Sequence, residues 1–188
     1  MLAGYPKKVQ LQTGTSVTIR PMVKEDADKL YACFSRVPRE DRLFLRDDVS
    51  IRDVIDAWAR ELDYEKVLPL VAEVGGNIVG DATLHRRKFG WTSHVGKVRL
   101  LIDKDYRGKG LGTLMIEELI DIAKKAGLEL LVAEIMGNQT AALGAFKRLG
   151  FEKEAVFYNY VKDQTGQERN LVVMMKNLLI EPATTLPF

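Results

Sequence analysis

Apolar positions recur at two different spacings along this 188-residue chain. Between Val95 and Ile102 they form a short, nearly continuous run of β-branched and aliphatic residues, which predicts a buried strand. From Leu111 to Ala126 they recur every three or four residues, which predicts an amphipathic helix, and Gly127 follows where a C-terminal cap is expected. The residues between these two elements therefore form a strand-to-helix turn.

The same patterns predict further elements on both sides of this turn. A hairpin is expected at Gly75-Gly76-Asn77, because two strand-like runs flank it. Strands are predicted at residues 15–20, 68–74, 78–84, 128–136, 151–161 and 171–178. One helix is predicted to begin at Ala27, a second to follow Ser50 as its N-cap, and a further one to span residues 140–149. This order predicts an α/β fold with a single mixed, mostly antiparallel sheet flanked by helices. We expect residues 1–14 to be a loose lead-in, 15–180 the domain and 181–188 a tail.

Composition excludes several classes of function. A net charge of +2 is too small to favour a polyanionic partner, so no nucleic acid is implied. No signal peptide and no run of about 18 apolar residues is present, so we expect a cytoplasmic protein that does not enter a membrane. The single cysteine, Cys33, excludes an internal disulfide and a cysteine-based zinc site, and its apolar helical context predicts a core residue.

The turn before the Leu111–Ala126 helix carries the strongest chemical signal. Gly108, Gly110 and Gly112 occupy alternate positions, with Arg107 before them and Lys109 between them. A helix N-terminus has unpaired N–H groups and a partial positive charge, so it attracts phosphate. Glycines let that backbone approach a diphosphate closely. The turn therefore predicts a site for a phosphorylated cofactor.

The spacing of these residues indicates which cofactor. No lysine followed by Ser or Thr completes a Walker loop here, and Thr113 stands where a dinucleotide fingerprint needs its third glycine. What remains is R-x-x-G-x-G, formed by Arg107, Gly110 and Gly112. With a strand before it and a helix after it, this motif resembles the pyrophosphate-binding signature of the GNAT superfamily of acetyl-CoA-dependent N-acetyltransferases. The resemblance covers about residues 15 to 178.

A second stretch also resembles this family, with two departures. The family's N-x-x-A-x-x-x-Y string, followed by three residues and Gly-Phe, places Gln139 at the asparagine and Phe146 at the tyrosine when counted back from Gly150. Asn138 lies one residue away from the asparagine position. Phe146 cannot protonate a leaving thiolate as the family's tyrosine often does, so we expect it to pack against the cofactor's apolar arm.

The resemblance implies acetyl-CoA as co-substrate and a set of residues that hold it. An oxyanion site formed by a backbone N–H near Leu101 or Ile102 is also carried over from the family. The expected cofactor-binding residues are Leu101, Ile102, Arg107, Gly108, Lys109, Gly110, Leu111, Gly112, Asn138, Gln139 and Phe146.

The sequence indicates the catalytic groups less clearly than the cofactor-binding residues. We expect Glu134 to be the general base, because its strand should diverge from the central strand and open a cleft. Glu73, His85 and His94 are the other candidate bases. Tyr158, or Tyr160 on the same strand, could protonate the leaving thiolate. Each of these side chains is also compatible with an ordinary position on a strand.

We therefore expect an N-acetyltransferase that moves an acetyl group from acetyl-CoA directly to a primary amine, in a ternary complex. The acceptor could be a small molecule or a protein lysine, and no metal is expected. Homodimers are common among proteins of this type. The alternative is a non-catalytic acyl-CoA-binding module, which the phenylalanine at 146 favours.

Overall fold

The computed structural model describes residues 2–42, 47–163 and 165–180. Its strands are β1 (Lys7–Gln10), β2 (Ser16–Pro21), β3 (Val67–Val74), β4 (Asn77–His85), β5 (Val95–Ile102), β6 (Leu130–Met136), β7 (Glu152–Lys162) and β8 (Glu168–Asn177). Its helices are α1 (Ala27–Ser35), α2 (Arg39–Arg42), α3 (Arg52–Arg60), α4 (Leu111–Lys125) and α5 (Thr140–Arg148). Within the described residues, no helix is long and apolar enough to cross a membrane.

All eight strands belong to one mixed sheet in the order β1-β2-β3-β4-β5-β6-β8-β7. Every neighbouring pair is antiparallel except β5 and β6, which are parallel. A parallel pair needs a crossover connection, and α4 provides it, since this helix joins the end of β5 to the start of β6. The predicted fold class is confirmed.

The two faces of the sheet bury different sets of apolar side chains. One set is centred on α4, where Leu111, Met115 and Leu119 pack among residues of the central strands. The other set lies under α1 and α3, and includes Phe34 and Ile55. Because side chains alternate along a strand, each central strand contributes to both sets. The sheet is therefore covered by helices on both faces.

Most element predictions agree with the structure, but two local ones are wrong. The central strand has the predicted bounds, and Cys33 is buried, which raises the pKa of its thiol to about 12. The N-terminal segment is not a loose lead-in, because Lys7–Gln10 pairs with β2 and Tyr5 donates to Glu118 on α4. Ser50 does not cap α3, since its hydroxyl binds Asp48 and the helix begins two residues later. Residues 181–188, the predicted tail, lie outside the described residues.

The packing of β5 against β6 predicts an asymmetric response to two alanine substitutions. A Cβ at Gly96 would lie 2.8 Å from Leu84 Cδ1 and 2.9 Å from a methyl carbon of both Leu128 and Leu131. We expect Gly96→Ala to lower the free energy of unfolding by about 1–3 kcal/mol, because three packed leucines must move together. The matched control is Gly144→Ala in α5, where the nearest atom is 3.5 Å away. It should be neutral or stabilising by up to about 1 kcal/mol. Urea unfolding measures both, and equal losses would contradict this packing.

Candidate active site

The turn between β5 and α4 has the backbone shape that phosphate binding requires. Gly108 and Gly110 have φ angles of +70° and +87°, a region that side chains with a Cβ rarely adopt. Gly110 is the N-cap residue of α4 and supplies no capping side chain, and the first turn of the helix contains no acidic residue. The N–H groups that begin α4 are thus left to an external anion.

The third glycine of the turn has a different role. A Cβ at Gly112 would lie 3.0 Å from Leu100 Cδ2, so the absence of a side chain lets α4 lie close against β5. Asp103 fixes the other end of the turn from a buried position, where it accepts hydrogen bonds from Asp105 N–H at 3.1 Å and from Arg36 Nε at 2.7 Å. The turn is therefore held from both sides by contacts within the protein.

Arg107 makes two contacts within the protein. Its Nε donates to the carbonyl of Ile102 at 2.9 Å, and its Nη2 lies 2.6 Å from Asp41 Oδ2 in α2. The guanidinium therefore ties the turn to the end of β5 and to α2. Lys109 lies over the ring of Tyr106, with its Nζ 5.4 Å from the ring centroid. Both cations lie beside the open start of α4.

A gap opens between β5 and β6 next to this turn. The two strands pair only at residues 95–97 and 130–132, although β5 continues to Ile102 and β6 to Met136. On the other edge of β5, the N–H of Asp103 donates to the carbonyl of Val79 at 2.9 Å. Since backbone N–H groups alternate between the two edges of a strand, the N–H of Ile102 faces the gap and that of Leu101 faces β4.

The second motif lies across the gap at the start of α5. Phe146 is buried and packs edge-to-face on Phe151, with 4.9 Å between ring centroids. Gln139 Oε1 accepts a hydrogen bond from the N–H of Met136 at 3.3 Å, so this amide closes the end of β6. Asn138 is exposed, and all three predicted residues line the same cleft as the turn.

This cleft has a volume of about 1880 Å³ and extends from the turn to the face of the sheet under α1 and α3. On that face, β4 and β5 form a floor of three cross-strand pairs, Asp81 with Leu101, Thr83 with Arg99 and His85 with Lys97. All six residues line the cleft. Asp81 occupies the row beside the turn, and His85 occupies the row furthest from it.

Asp81 is the acid that sequence reasoning missed. It is half-buried, and desolvation raises the pKa of its carboxyl from the ordinary 3.8 to about 7. A group that titrates near neutrality can both accept and release a proton at the working pH. The signal in the sequence was an acid inside the apolar run of residues 78–84.

The other candidate acids and bases lie in less favourable surroundings. Glu134 lines the cleft, but it is exposed and its Oε1 lies 2.5 Å from Lys97 Nζ. Glu73 lies outside the residues that line the cleft, and its pKa is lowered by the hydrogen bond from Lys29, with a further contribution from Arg20. Tyr158 on β7 is 77% exposed and does not line the cleft. The structure brings Glu134 to the cleft and leaves Tyr158 outside it.

Comparison with known proteins agrees with this geometry. The model of the acetyltransferase (GNAT) family matches residues 27–151, a stretch that contains Asp81, the turn, the gap and the second motif. This chain belongs to the GNAT family. GNAT proteins are acyltransferases, so the resemblance of the two motifs and the predicted enzyme class are confirmed at the level of the family.

Individual relatives of this GNAT chain are distant. An uncharacterised N-acetyltransferase of Methanocaldococcus jannaschii is 27% identical over 152 residues, which are 77% of this chain and 65% of that protein. The [ribosomal protein bS18]-alanine N-acetyltransferase of Escherichia coli K12 is 30% identical over 76 residues, which are 40% of this chain and 51% of that protein. The matches thus span between half and two thirds of these relatives.

A solved structure shows the same fold in a second protein. It is yncA from Salmonella typhimurium with its cofactor acetyl-CoA, with a TM-score of 0.74 and 24% identity. The match covers 91% of this chain and 99% of that one.

The raised pKa of Asp81 predicts a pH-dependent cost to stability. Between about pH 4 and pH 7 the unfolded chain loses this proton before the folded chain does, so the folded state is destabilised as pH rises through this interval. Asp81→Asn removes this cost. The quantity to compare is the free energy of unfolding of the variant minus that of the wild type. We expect this difference to be larger at about pH 8 than at about pH 4, by at most about 4 kcal/mol. Urea unfolding at both pH values tests this, and a difference that is independent of pH would contradict the raised pKa.

Proposed function

We propose that this protein is an N-acetyltransferase that transfers the acetyl group of acetyl-CoA to a primary amine. The observation that carries this proposal is the open N-terminus of α4, with Gly108 and Gly110 at positive φ, placed directly beside the gap between β5 and β6. If the diphosphate of acetyl-CoA binds at the turn, the pantetheine arm of the same molecule would extend into the gap. The thioester would then lie next to Asp81 and the end of β5.

The acceptor must lose a proton before or during its attack. An alkyl amine with a pKa near 10.4 is mostly protonated at neutral pH, so a base is needed. We assign this role to Asp81, because its carboxyl titrates near pH 7 and lies on the cleft floor beside Leu101. One proton of the ammonium group first moves to the Asp81 carboxylate, which frees the nitrogen lone pair to form a bond to the thioester carbonyl carbon. The second proton leaves the nitrogen to solvent as the carbon–sulfur bond breaks and the amide forms.

The carbonyl oxygen becomes negatively charged in the tetrahedral intermediate. Of the two backbone N–H groups expected from the sequence, that of Ile102 is favoured, because it faces the gap while that of Leu101 faces β4. Collapse of the intermediate breaks the carbon–sulfur bond and releases coenzyme A as a thiolate. With a thiol pKa near 8.5, departure as the anion at pH 7 costs about 2 kcal/mol. Phe146 can therefore pack at the cofactor's arm without a proton donor in its place.

The proposed acceptor is a chemical class, the primary amines, and not one compound. The Escherichia coli relative acts on an alanine of ribosomal protein bS18, which is a protein amine. Only 40% of this chain takes part in that match. The proposal therefore names a primary amine, either on a small molecule or on a protein.

The diphosphate cradle predicts a specific loss of cofactor affinity. Gly110→Val places a Cβ and two methyl groups at a φ of +87°, where they would strain the backbone and cover the N–H groups that begin α4. We expect coenzyme A to bind at least about tenfold more weakly, as measured by titration calorimetry. Gly166→Val, at a φ of +80° in the turn after β7, is the matched control. It should carry a similar strain and leave affinity unchanged, so equal effects of the two variants would contradict the cradle.

The assignment of Asp81 predicts a pH profile. We expect kcat of the wild type to rise to a plateau above about pH 7, because only the ionised carboxylate accepts a proton. Asp81→Asn should lower kcat by about 10²–10⁴-fold and remove this ascending limb. Steady-state rates of thiol release at saturating acceptor measure both effects. If Glu134→Gln removes the limb and Asp81→Asn keeps it, the base is Glu134, as first expected from the sequence.

The burial of Phe146 at the tyrosine position favours one alternative, a module that binds acyl-CoA without reacting. The two functions separate when protein, acetyl-CoA and a panel of amines and lysine peptides are incubated with a thiol-reactive dye. Thiol release that depends on an amine supports the transferase. Thermal stabilisation by acetyl-CoA without thiol release on any acceptor would favour the module.

A further inference from the structure

The loop between β4 and β5, residues 86–94, exposes two large aromatic side chains. Phe89 and Trp91 are 86% and 93% exposed, and only Gly90 separates them. Arg87 and Lys88 precede them and are also exposed, and neither has an ion pair within 4.0 Å among the described residues. We call this segment the 86–94 hairpin. It combines apolar area with positive charge on a surface that nothing else in the described chain covers.

The backbone of the 86–94 hairpin is fixed, although its side chains project into solvent. The N–H of Arg86 donates to the carbonyl of Lys66 at 2.8 Å, and its guanidinium binds the carbonyl of Tyr64. At the other end, the N–H of Glu129 donates to the carbonyl of His94 at 2.9 Å. A loop that is anchored at both ends loses less conformational entropy on binding than a free segment would, and aromatic and arginine side chains are enriched at protein interfaces.

The hairpin stands at one end of the cleft. His85, the last residue of β4, and Lys66 both line the cleft, and the hairpin begins immediately after His85. Asp81 lies four residues before His85 on the same strand, which is about 13 Å at 3.3 Å per residue. A small amine seated at Asp81 cannot reach Phe89 or Trp91. A ligand that touches both places must span more than about 13 Å, and we take it to be a macromolecule, because an extended protein segment covers this distance in about four residues.

The charges at this end of the cleft indicate the chemistry of that macromolecule. Arg87 and Lys88 on the hairpin favour an anionic partner, since Glu61 and Asp63, the acids that line the cleft near this end, are already paired with Arg60 and Lys66. The acceptor lysine of that segment would enter the cleft, which extends from this end to Asp81. Acidic and apolar residues that flank the lysine would meet the hairpin.

We propose that the 86–94 hairpin docks an acidic, apolar-containing segment of a protein acceptor and so selects protein lysines for acetylation. This inference rests on the proposed N-acetyltransferase function, but the docking step is measurable without turnover.

The test uses two lysine peptides with blocked N-termini. The lysine is flanked by glutamate and leucine in the first peptide and by glutamine and leucine in the second, and the two are otherwise identical. Fluorescence anisotropy of labelled peptides measures binding to the coenzyme A complex, and thiol release measures transfer. We expect the acidic peptide to bind about tenfold more tightly, a preference that Arg87→Glu with Lys88→Glu abolishes. Phe89→Ser with Trp91→Ser should weaken binding of both peptides by a similar factor.

Two controls test whether the effects are specific to the hairpin. Phe157→Ser, a 49% exposed phenylalanine on β7, should leave peptide binding unchanged, and a free alkyl amine should react equally well with wild type and hairpin variants. Equal affinity for the two peptides, or hairpin variants that bind like wild type, would overturn the proposal. So would hairpin-dependent binding to phosphatidylserine vesicles with no binding to either peptide, which would indicate a membrane surface instead. If the acidic peptide binds through the hairpin but no amine gives thiol release, the docking inference stands and the proposed transferase function fails.

Discussion

The structure depends on one local constraint, the approach of the N-terminus of α4 to the end of β5. Gly112 allows this approach, because a side chain there would meet Leu100 at 3.0 Å. Gly108 and Gly110 then turn the backbone through the left-handed region, so that the N–H groups of the first helical turn face outward beside the gap. The outward-facing N–H groups and the helix packing are therefore two consequences of the same three glycines.

The position of the gap follows from the topology of the sheet. The single parallel pair, β5 and β6, lies where the chain crosses over through α4, and the two strands separate after three paired residues. The face under α4 is filled by apolar side chains, while the opposite face carries Asp81, Thr83 and Arg99 on its floor. Under the proposed function, cofactor and acceptor would enter from different directions and meet at the end of β5.

Local patterns predicted the parts of the fold that are set by nearby residues. The bounds of β5, the α4 helix and the glycine turn could be derived, because periodicity and glycine spacing are properties of short segments. The strand Lys7–Gln10 was missed, since it is short and polar and exists through its pairing with β2. Tyr158 was predicted near the chemistry because its strand follows α5, but β8 inserts between β6 and β7 and moves β7 to the edge of the sheet. Arg107 was predicted as a cation of the turn, but its contact with Asp41 was not, because that contact joins segments that are distant in sequence.

The central claim is that backbone amides at the start of α4 bind the diphosphate of coenzyme A. Backbone ¹⁵N-labelled protein titrated with coenzyme A, and separately with pantetheine, which lacks the diphosphate, tests it most directly. The account predicts that the amide resonances of Gly108, Gly110, Leu111, Gly112 and Thr113 shift most strongly with coenzyme A and remain near their free positions with pantetheine. Saturating binding of coenzyme A that leaves these five amides unshifted would contradict the account.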